Sequence, residues 1–250
     1  MTSVYGLIGK RLVHSFSAAY FNAKFDREGR DARYRLFPID DIRDVFPLIE
    51  GNPELKGLNV TIPYKMQILP FLDGISPEAE AIGAVNTLCI RRADGRISLY
   101  GHNTDAPGFE KSLCEFVPET LKSALILGNG GAAKAVSHVL ENLGFDFKIA
   151  SRRPGNGRII SYEAIPGLIA NSPLIVNATP LGMYPDTEKY PDIPYRLLDS
   201  GHFLFDLIYN PASTLFMEKG RARGSEVKNG TDMFGYQAEY AWKIWENFPG

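Results

Sequence analysis

The segment at residues 125–136, LILGNGGAAKAV, constrains the fold more than any other part of this sequence. Three apolar residues lead into the pattern G-x-G-x-x-A at Gly128, Gly130 and Ala133, and helix-forming residues follow. In such a strand–turn–helix unit the first glycine permits the tight turn, the second lets the backbone approach a pyrophosphate, and the small third residue lets the helix pack on its strand. Free N–H groups and the positive end of the helix dipole then face the phosphates. The segment therefore predicts the phosphate-binding turn of a dinucleotide-binding domain.

The chain continues from this turn as an alternation of predicted strands and helices. The predicted strands are residues 124–127, 147–150, 174–178, 203–208 and 226–228. This alternation is typical of a parallel, doubly wound sheet. The last predicted helix, residues 233–245, carries an apolar stripe at 3-to-4 spacing, and we expect it to pack back on the first part of the chain.

The first hundred residues predict a separate, mixed α/β unit. Its predicted strands are residues 4–8, 34–39, 58–62, 84–90 and 97–100, the last two joined as a hairpin. We expect a helix at residues 18–25, a helix capped by Asp40 or Asp41, a helix that begins at Tyr64-Lys65, and one capped by Ser76 with Pro77 in its first turn.

The end of the second strand of the dinucleotide-binding sheet predicts which cofactor is bound. An acidic residue about 20 residues after the glycine turn would accept hydrogen bonds from the ribose 2′-OH of NAD. This chain has Ser151-Arg152-Arg153 instead. A carboxylate would repel a 2′-phosphate, whereas a guanidinium binds it through two parallel hydrogen bonds. The sequence therefore predicts NADP, and the alternative is that both arginines are solvated surface residues.

Composition and charge exclude several other classes of partner. The formal net charge is -2 and no Lys/Arg run is present, which argues against nucleic acid or an anionic membrane surface. No apolar run approaches the ~20 residues that a membrane helix needs, and the N-terminal residues do not resemble a signal peptide. The two cysteines and four scattered histidines predict neither a disulfide framework nor a metal site. We therefore expect a cytoplasmic protein, and the sequence leaves its oligomeric state, monomer or homodimer, open.

Polar residues gather at the predicted loops and strand ends of the first half. They are Ser15, Ser17, Asn59, Thr61, Lys65, Asn86, Thr104 and Asp105. Taken alone, Lys65 is typical of a solvated lysine at a helix start, and Asp105 of a helix N-cap before Ala106-Pro107. Their joint occurrence is what favours a functional site.

In this combination the chain resembles the shikimate dehydrogenase family, from Tyr5 to Trp245. The motifs that carry the resemblance are His14-Ser15-Phe16-Ser17, Asn59-Val60-Thr61-Ile62-Pro63-Tyr64-Lys65, Gly83-Ala84-Val85-Asn86-Thr87, Gly101-His102-Asn103-Thr104-Asp105, Gly128-Asn129-Gly130-Gly131-Ala132-Ala133, Ser151-Arg152, Asn177-Ala178-Thr179-Pro180-Leu181-Gly182-Met183, Asp206-Leu207-Ile208-Tyr209-Asn210-Pro211, and Gly230-Thr231-Asp232-Met233 leading to Gln237. No single motif is specific to the family, but the occurrence of all of them in the same order along the chain is.

The resemblance implies a small-molecule substrate and an NADPH-dependent, reversible reduction of 3-dehydroshikimate to shikimate, a step of aromatic amino-acid biosynthesis. It implies that Lys65 and Asp105 are catalytic and that the substrate is bound by Ser15, Ser17, Thr61, Lys65, Asn86, Asp105, Tyr209 and Gln237. Together with the arginine pair it predicts a cofactor site formed by Gly128, Asn129, Gly130, Gly131, Ala132, Ser151, Arg152, Arg153, Thr179, Leu207, Gly230 and Met233.

The predicted fold class is accordingly α/β, with three parts. A mixed α/β substrate-binding catalytic domain takes residues 1–104, and a doubly wound, Rossmann-like NADP-binding domain takes residues 105–229. A C-terminal helix at residues 230–250 packs back on the first domain.

The sequence departs from the family pattern at three places and leaves three alternatives open. Ala18 stands where the family commonly has proline after the second serine, and Lys10-Arg11 replaces the usual polar residue and proline near the first loop. The segment after Arg152, RPGNGR, is short and glycine-rich where the family usually has threonine and then a helix, which predicts weaker or less selective NADP binding. The alternatives are a quinate or dual quinate/shikimate dehydrogenase, a catalytically idle NADP-binding relative, and an enzyme of unrelated chemistry such as a folate dehydrogenase. An idle relative should have lost Lys65 or Asp105, and a folate dehydrogenase would not need Ser15 and Ser17.

Overall fold

Two six-stranded sheets, each built from buried apolar runs, organise the chain in the computed structural model. It describes residues 2–13, 15–153, 155 and 157–249, so His14, Pro154 and Asn156 of the motifs above lie outside the described residues. The chain divides into two compact units, Met1–Thr104 with Ala238–Gly250, and Asp105–Gln237.

The first unit contains a mixed sheet flanked by short helices. Its strands are β1 (Ser3–Gly9), β2 (Ala32–Pro38), β3 (Leu55–Val60), β4 (Gly74–Ile75), β5 (Thr87–Ala93) and β6 (Arg96–His102). Its helices are α1 (Ser17–Arg27), α2 (Val45–Glu50) and α3 (Pro77–Ile82), with 3-10 turns at Ile42–Asp44 and Leu69–Phe71. The strand order is β2-β1-β3-β5-β6-β4, in which β3-β5 and β5-β6 are antiparallel and the other pairs parallel.

Local sequence signals explain several of these element ends. The Ser76 hydroxyl accepts the N–H of Ala79 at 3.2 Å and caps α3, as expected. Asp41 caps the 3-10 turn before α2 through a reciprocal capping box with Asp44. The β5–β6 hairpin turns at Asp94-Gly95, where both residues have positive φ (53° and 72°), the conformation that an Asp-Gly hairpin favours.

The prediction of a helix beginning at Tyr64-Lys65 is wrong. Strand β3 ends at Val60, and residues 62–68 form successive turns. In a helix the carbonyl of Lys65 would accept an N–H four residues later. Here it accepts the N–H of Val85 instead, at 2.8 Å. A partner 20 residues away in the chain therefore replaces the local helical hydrogen bond, and the local pattern cannot reveal it.

Apolar clusters cover both faces of this first sheet. One includes Ile8, Leu58 and Leu88 with the side chains of α2. The other joins Tyr5, Phe21 and Phe25 to Trp242 and Trp245 from the last helix. The expected return of the C-terminal helix to the first domain is thus confirmed.

The second unit contains an entirely parallel sheet. Its strands are β7 (Ser123–Leu127), β8 (Asp146–Ala150), β9 (Ile159–Ile160), β10 (Leu174–Asn177), β11 (Phe203–Asp206) and β12 (Glu226–Lys228), in the order β12-β11-β10-β7-β8-β9. Its helices are α4 (Asp105–Cys114), α5 (Gly131–Asn142), α6 (Leu215–Arg221) and the start of α7 (Thr231–Asn247). Counted from β7 this is the strand order of a dinucleotide-binding Rossmann fold, with the reversal between β7 and β10. The predicted fold class is confirmed.

The connection from β8 to β10 differs from a regular Rossmann unit. Strand β9, which has only two residues, was not predicted, and 3-10 turns at Tyr162–Gly167 and Ile169–Asn171 follow it. No α-helix lies between β8 and β10 in the part of the chain that the structure describes. Pro166 has no N–H to donate to a helical turn, which favours the short 3-10 form.

Among the described residues, none of the helices combines the length and the apolar character that crossing a membrane would require.

Candidate active site

The loop that enters α1 presents Ser15 and Ser17 together. The Ser15 hydroxyl accepts the backbone N–H of Ser17 at 3.2 Å, and the Ser15 N–H donates to the carbonyl of Leu12 at 2.9 Å. Ser17 begins α1 and is buried, whereas Ser15 is half-buried. A hydroxyl that accepts an N–H keeps its own proton for donation, so this loop can still donate hydrogen bonds to an anion.

The turns after β3 hold Thr61 and Lys65 on a firmly anchored backbone. The Thr61 N–H donates to the carbonyl of Ile8 at 3.0 Å, and the Thr61 carbonyl accepts the N–H of Tyr64 at 2.9 Å. The buried ring of Tyr64 extends to the carbonyl of Ile39, to which its hydroxyl donates at 2.8 Å. With Val85 bound to its carbonyl, Lys65 projects a half-buried side chain from a fixed backbone position.

A buried hydrogen-bond network fixes the side chain of Asn86. Its Oδ1 accepts the N–H of Thr104 at 2.7 Å, and its Nδ2 donates to the Thr104 hydroxyl at 3.0 Å. The Thr87 hydroxyl donates to the same Oδ1 at 3.1 Å. Because only the amide oxygen can accept an N–H, these contacts define which way the amide of Asn86 points.

Two supporting residues of this network were not predicted to have a structural role. Asn59 Nδ2 donates to the carbonyl of Asn86 at 3.2 Å and to the Thr87 hydroxyl at 3.1 Å, and Tyr34 donates its hydroxyl to Asn59 Oδ1 at 2.7 Å. Asn59 is part of a motif quoted above. No sequence signal identifies Tyr34, which lies 25 residues away from it.

In the second unit, Asp105 and Gln237 lie on two helices that approach closely. Asp105 begins α4, where a negative charge is favourable near the helix N-terminus, and it is buried. A β-carbon on Gly108 would lie 3.0 Å from both Cβ and the backbone nitrogen of Gln237. Glycine at this position therefore lets α4 and α7 pack closely. The Gln237 Nε2 donates to the carbonyl of Phe234 at 3.1 Å.

The glycine turn after β7 has the geometry that a pyrophosphate requires. Gly128 has a φ of +100°, which favours glycine, and its N–H donates to the carbonyl of Ala150 at 2.8 Å. A β-carbon on the exposed Gly130 would meet no protein atom within 4 Å, so glycine there leaves space open rather than serving the packing of the chain. Gly130 is also the N-cap of α5 and provides no side-chain cap, which leaves the first N–H groups of this helix for a ligand. These residues fit a dinucleotide phosphate.

The three arginines between β8 and β9 differ in what they contact. Arg158 donates to Glu141 at 2.9 Å and lies 4.5 Å from the ring centroid of Phe147. Arg152 and Arg153 are exposed, and neither forms an ion pair within the described ranges. The Arg153 N–H donates to the Ser151 hydroxyl at 3.2 Å and shapes the turn. Two adjacent guanidiniums with no carboxylate partner suit a 2′-phosphate.

The remaining predicted cofactor residues follow β10, β11 and β12. The Thr179 hydroxyl donates to Asn177 Oδ1 at 2.6 Å. Gly230 lies directly against the backbone of Leu207, and its N–H donates to the carbonyl of Ile208 at 3.0 Å. A β-carbon at Gly230 would collide with the carbonyl of Leu207, so only glycine fits. Met233 is buried one turn further along the chain.

Tyr209 packs beside Phe234, with ring centroids 4.7 Å apart. Burial raises the pKa of the Tyr209 phenol, and the negative charge of Asp105 raises it further. The phenol is therefore a neutral hydrogen-bonding group at physiological pH.

The predicted site residues thus fall into two groups by unit. Ser15, Ser17, Thr61, Lys65 and Asn86 belong to the first, and Asp105, Tyr209, Gln237 and all the predicted cofactor residues belong to the second. Within the second, the cofactor residues follow the carboxyl ends of β7, β8, β10, β11 and β12, the edge at which open α/β sheets bind their ligands.

Comparisons with known proteins indicate one family. A family model described as the shikimate dehydrogenase substrate binding domain matches residues 7–88. The shikimate dehydrogenase (NADP(+)) of Desulforamulus reducens is 34% identical to this chain over an aligned length of 270 residues. The alignment covers 99% of this chain and 91% of that protein.

Solved structures extend the comparison to the fold. Shikimate 5-dehydrogenase from Thermus thermophilus, in complex with NADP(H) and shikimate, is 30% identical with a TM-score of 0.83 and coverage of 98% of this chain and 94% of that one. Quinate dehydrogenase from Corynebacterium glutamicum, in complex with NAD, is 29% identical with a TM-score of 0.84 and coverage of 99% and 94%. The identity to the curated relatives over nearly the full length of both chains shows that this chain belongs to the shikimate dehydrogenase family.

Proposed function

We propose that this protein is an NADP-dependent shikimate dehydrogenase that interconverts 3-dehydroshikimate and shikimate. The observation that carries the proposal is near full-length similarity to relatives named shikimate dehydrogenase (NADP(+)), at 34–36% identity. The two exposed arginines at the end of β8 and the open glycine turn after β7 support the cofactor part of it.

In this proposal, Ser15 and Ser17 donate their hydroxyl protons to the substrate carboxylate. The hydroxyl of Ser15 is already oriented by the N–H of Ser17, which lowers the entropic cost of binding. The ring hydroxyls are bound by Thr61, Asn86, Asp105 and Gln237. The amide of Asn86 has a single orientation in its buried network, so its contacts discriminate between positions of a hydroxyl on the ring.

Lys65 and Asp105 carry the acid–base chemistry in this proposal. Reduction of a ketone places negative charge on its oxygen, and an adjacent ammonium stabilises that charge and donates the proton. We assign the ammonium to Lys65, whose anchored backbone limits the positions that its amine samples. Asp105 orients the amine and shares a hydrogen bond with the reacting hydroxyl. Tyr209, with its raised pKa, stays neutral and contributes a hydrogen bond without charge.

The cofactor is held by the second unit. Gly128, Asn129, Gly130, Gly131 and Ala132 bind the pyrophosphate, while Ser151, Arg152 and Arg153 bind the 2′-phosphate. Thr179, Leu207, Gly230 and Met233 bind the nicotinamide half. When bound, NADPH supplies the hydride, so the task of the chain is to position and enclose the reactants.

Quinate oxidation is a second candidate, favoured by the similarity to a quinate dehydrogenase solved with NAD. One set of initial-rate measurements separates the candidates. Shikimate and quinate are each oxidised with NADP and with NAD, and reduced nicotinamide is followed by its absorbance. The proposal requires shikimate with NADP to give the highest kcat/KM. A higher value for quinate with NAD would replace it, and no turnover with any pair would indicate a catalytically idle relative.

A further inference from the structure

A fully buried carboxylate lies at the end of β11 and has no assigned role. Asp206 is 0% exposed and forms no ion pair with any described residue. Its Oδ1 accepts Asn177 Nδ2 at 3.0 Å and the N–H of Ile208 at 3.1 Å, and its Oδ2 accepts the Thr214 hydroxyl at 2.6 Å. Burial raises the pKa of Asp206 to about 6, against the lowering effect of these three hydrogen bonds. Burying a carboxylate without a cationic partner costs free energy even when the carboxylate is hydrogen-bonded, so stability alone does not explain an acid at this position.

The first contact of Asp206 leads to the glycine turn. Asn177, held by the carboxylate, accepts both the hydroxyl and the N–H of Thr179 on its Oδ1, at 2.6 and 3.1 Å. The methyl group of Thr179 lies against Gly128, since a β-carbon on that glycine would be 2.9 Å from it. A continuous series of contacts therefore connects Asp206, through Asn177 and Thr179, to the glycine turn.

The second contact shapes the turn after β11. The N–H of Ile208 folds back on Asp206, and this places the carbonyl of Leu207 against Gly230. Tyr209 follows directly in the chain. The third contact, with Thr214, ties the same carboxylate to the start of α6, which Thr214 caps.

The geometry points to Asp206 as a positioning residue for the NADP site. We propose that its carboxylate fixes the conformation of the Thr179 loop and of the 207–209 turn. The two segments then form, before NADP binds, the surface that contacts the cofactor beyond its adenosine half. Loops after neighbouring parallel strands border the dinucleotide crevice at this edge of the sheet. The inference rests on the proposed use of NADP.

The test compares ligand binding by ligand-free variants. Asp206→Ala removes the carboxylate, and Asp206→Asn retains an oxygen for Asn177 and Ile208 and an amide that can donate to Thr214. Thr214→Val removes the hydroxyl that donates to Asp206 at 2.6 Å, together with its longer cap contact, at 3.4 Å, to the N–H of Met217 at the start of α6. Asp146→Ala, at the exposed opposite end of the same sheet, is the matched control. Calorimetric titrations give Kd for NADP and for adenosine 2′,5′-bisphosphate, a fragment that lacks the nicotinamide half.

We expect Asp206→Ala to weaken NADP binding about tenfold or more, while the bisphosphate binds as in the unaltered protein. Thr214→Val should weaken NADP binding by about threefold, and Asp206→Asn should restore most of it. Amide hydrogen exchange in residues 177–181 and 206–210 of the ligand-free protein should be faster in Asp206→Ala and unchanged in Asp146→Ala. If Asp206→Ala fails to fold, Thr214→Val decides the question: its NADP affinity should fall and amide exchange in residues 177–181, which lie outside the α6 cap, should become faster.

Unchanged NADP binding in both Asp206→Ala and Thr214→Val would overturn the proposal, as would an equal loss of NADP and bisphosphate binding in Asp206→Ala. The two proposals fail separately. If the unaltered protein binds NADP but does not oxidise shikimate, the proposed function fails and the binding test still applies. If it oxidises shikimate and the variants bind NADP normally, only the role of Asp206 fails.

Discussion

At the scale of single residues, the backbone of Lys65 is fixed by two hydrogen bonds, one at Lys65 itself and one at the residue before it. The preceding residue, Tyr64, is anchored through its hydroxyl to Ile39, and the carbonyl of Lys65 itself is bound by Val85. Because the backbone is fixed, the amine of this long side chain is restricted to the positions that the side-chain rotamers reach. Changes at this residue should therefore report on chemistry rather than on folding.

We expect Lys65→Ala to lower kcat by about 10²- to 10⁴-fold, the usual contribution of a positioned general acid, and to change the KM for shikimate little. The reason is that the ammonium interacts mainly with the charge that develops in the transition state. Steady-state kinetics with shikimate and NADP measure both constants. Lys56→Ala, at an exposed lysine of β3, is the control and should leave both unchanged. A raised KM with a normal kcat would show that Lys65 binds substrate without acting in the reaction.

The arginines at the end of β8 allow a second test at this scale. Arg152→Ala should lower kcat/KM with NADP by roughly 10- to 100-fold, the effect of losing hydrogen bonds to a charged group, and leave kcat/KM with NAD unchanged. Arg153→Ala should act in the same direction. Arg158→Ala serves as the control because its guanidinium is already engaged by Glu141 and Phe147. Equal losses with both cofactors in Arg152→Ala would argue against a 2′-phosphate contact.

At the scale of elements, the success of sequence-based prediction depends on how local each determinant is. The glycine turn after β7, the cap at Ser76 and the Asp94-Gly95 hairpin were predictable because each depends on a few consecutive residues. Alternation of strands and helices likewise predicted the parallel sheet.

Determinants that come from distant residues were not predictable. The expected helix at Tyr64-Lys65 is replaced by turns because Val85 takes a backbone carbonyl. Strand β9 is too short, at two residues, to leave a pattern. The bond between Asn177 and Asp206 spans 29 residues, so the motifs contain both side chains but give no sign that they meet. The roles assigned to the site residues remain predictions.

Helices α1 and α7 are joined by a small charged network within the first unit. Lys24 Nζ lies 2.7 Å from Glu28 and 2.8 Å from Glu239, to which Tyr20 also donates its hydroxyl. Burial alone would lower the pKa of Lys24, but the two carboxylates outweigh it and raise the pKa. Burial alone would raise the pKa of Glu239, but the hydrogen bonds from Lys24 and Tyr20 outweigh it and lower the pKa.

These shifts predict how the stability contributed by Lys24 varies with pH. A carboxyl with a lowered pKa stabilises the fold above its ordinary value of 4.5, and this is lost as the pH falls through the folded-state pKa. A lysine with a raised pKa stabilises the fold below its ordinary value of 10.5, and this is lost at higher pH. Lys24→Met should therefore reduce the free energy of unfolding by about 1 kcal/mol near pH 7, a modest value because the Glu239 side chain is 40% exposed.

Urea denaturation at pH 7 and at pH 3.5 tests this prediction, because the difference between Lys24→Met and the unaltered protein should shrink at the lower pH. Lys56→Met is the matched control and should show no such dependence. A difference of the same size at both pH values would mean that packing, and not charge, accounts for the role of Lys24.

At the scale of the whole molecule, the first unit is discontinuous in sequence. Residues 238–250 belong to it with residues 1–104. The Trp245 ring centroid lies 4.9 Å from that of Tyr5, and its Nε1 donates to the carbonyl of Leu88 at 2.9 Å. Trp242 packs on Phe25 with centroids 5.1 Å apart. The end of the chain thus completes a core that its beginning cannot close alone.

This arrangement predicts that residues 1–104 do not fold as an isolated piece. Removing one buried tryptophan side chain typically costs about 3–5 kcal/mol, so losing two approaches the whole stability of a typical domain, about 5–15 kcal/mol. Joining residues 1–104 to residues 231–250 through a flexible Gly/Ser linker should restore a cooperative urea transition. Because Trp242 and Trp245 are the only two tryptophans in the chain, fluorescence in the joined protein reports on this contact alone. The same protein with Trp245→Ala should lose most of the gain, whereas cooperative unfolding of residues 1–104 by themselves would show that the first unit does not need the C-terminal helix.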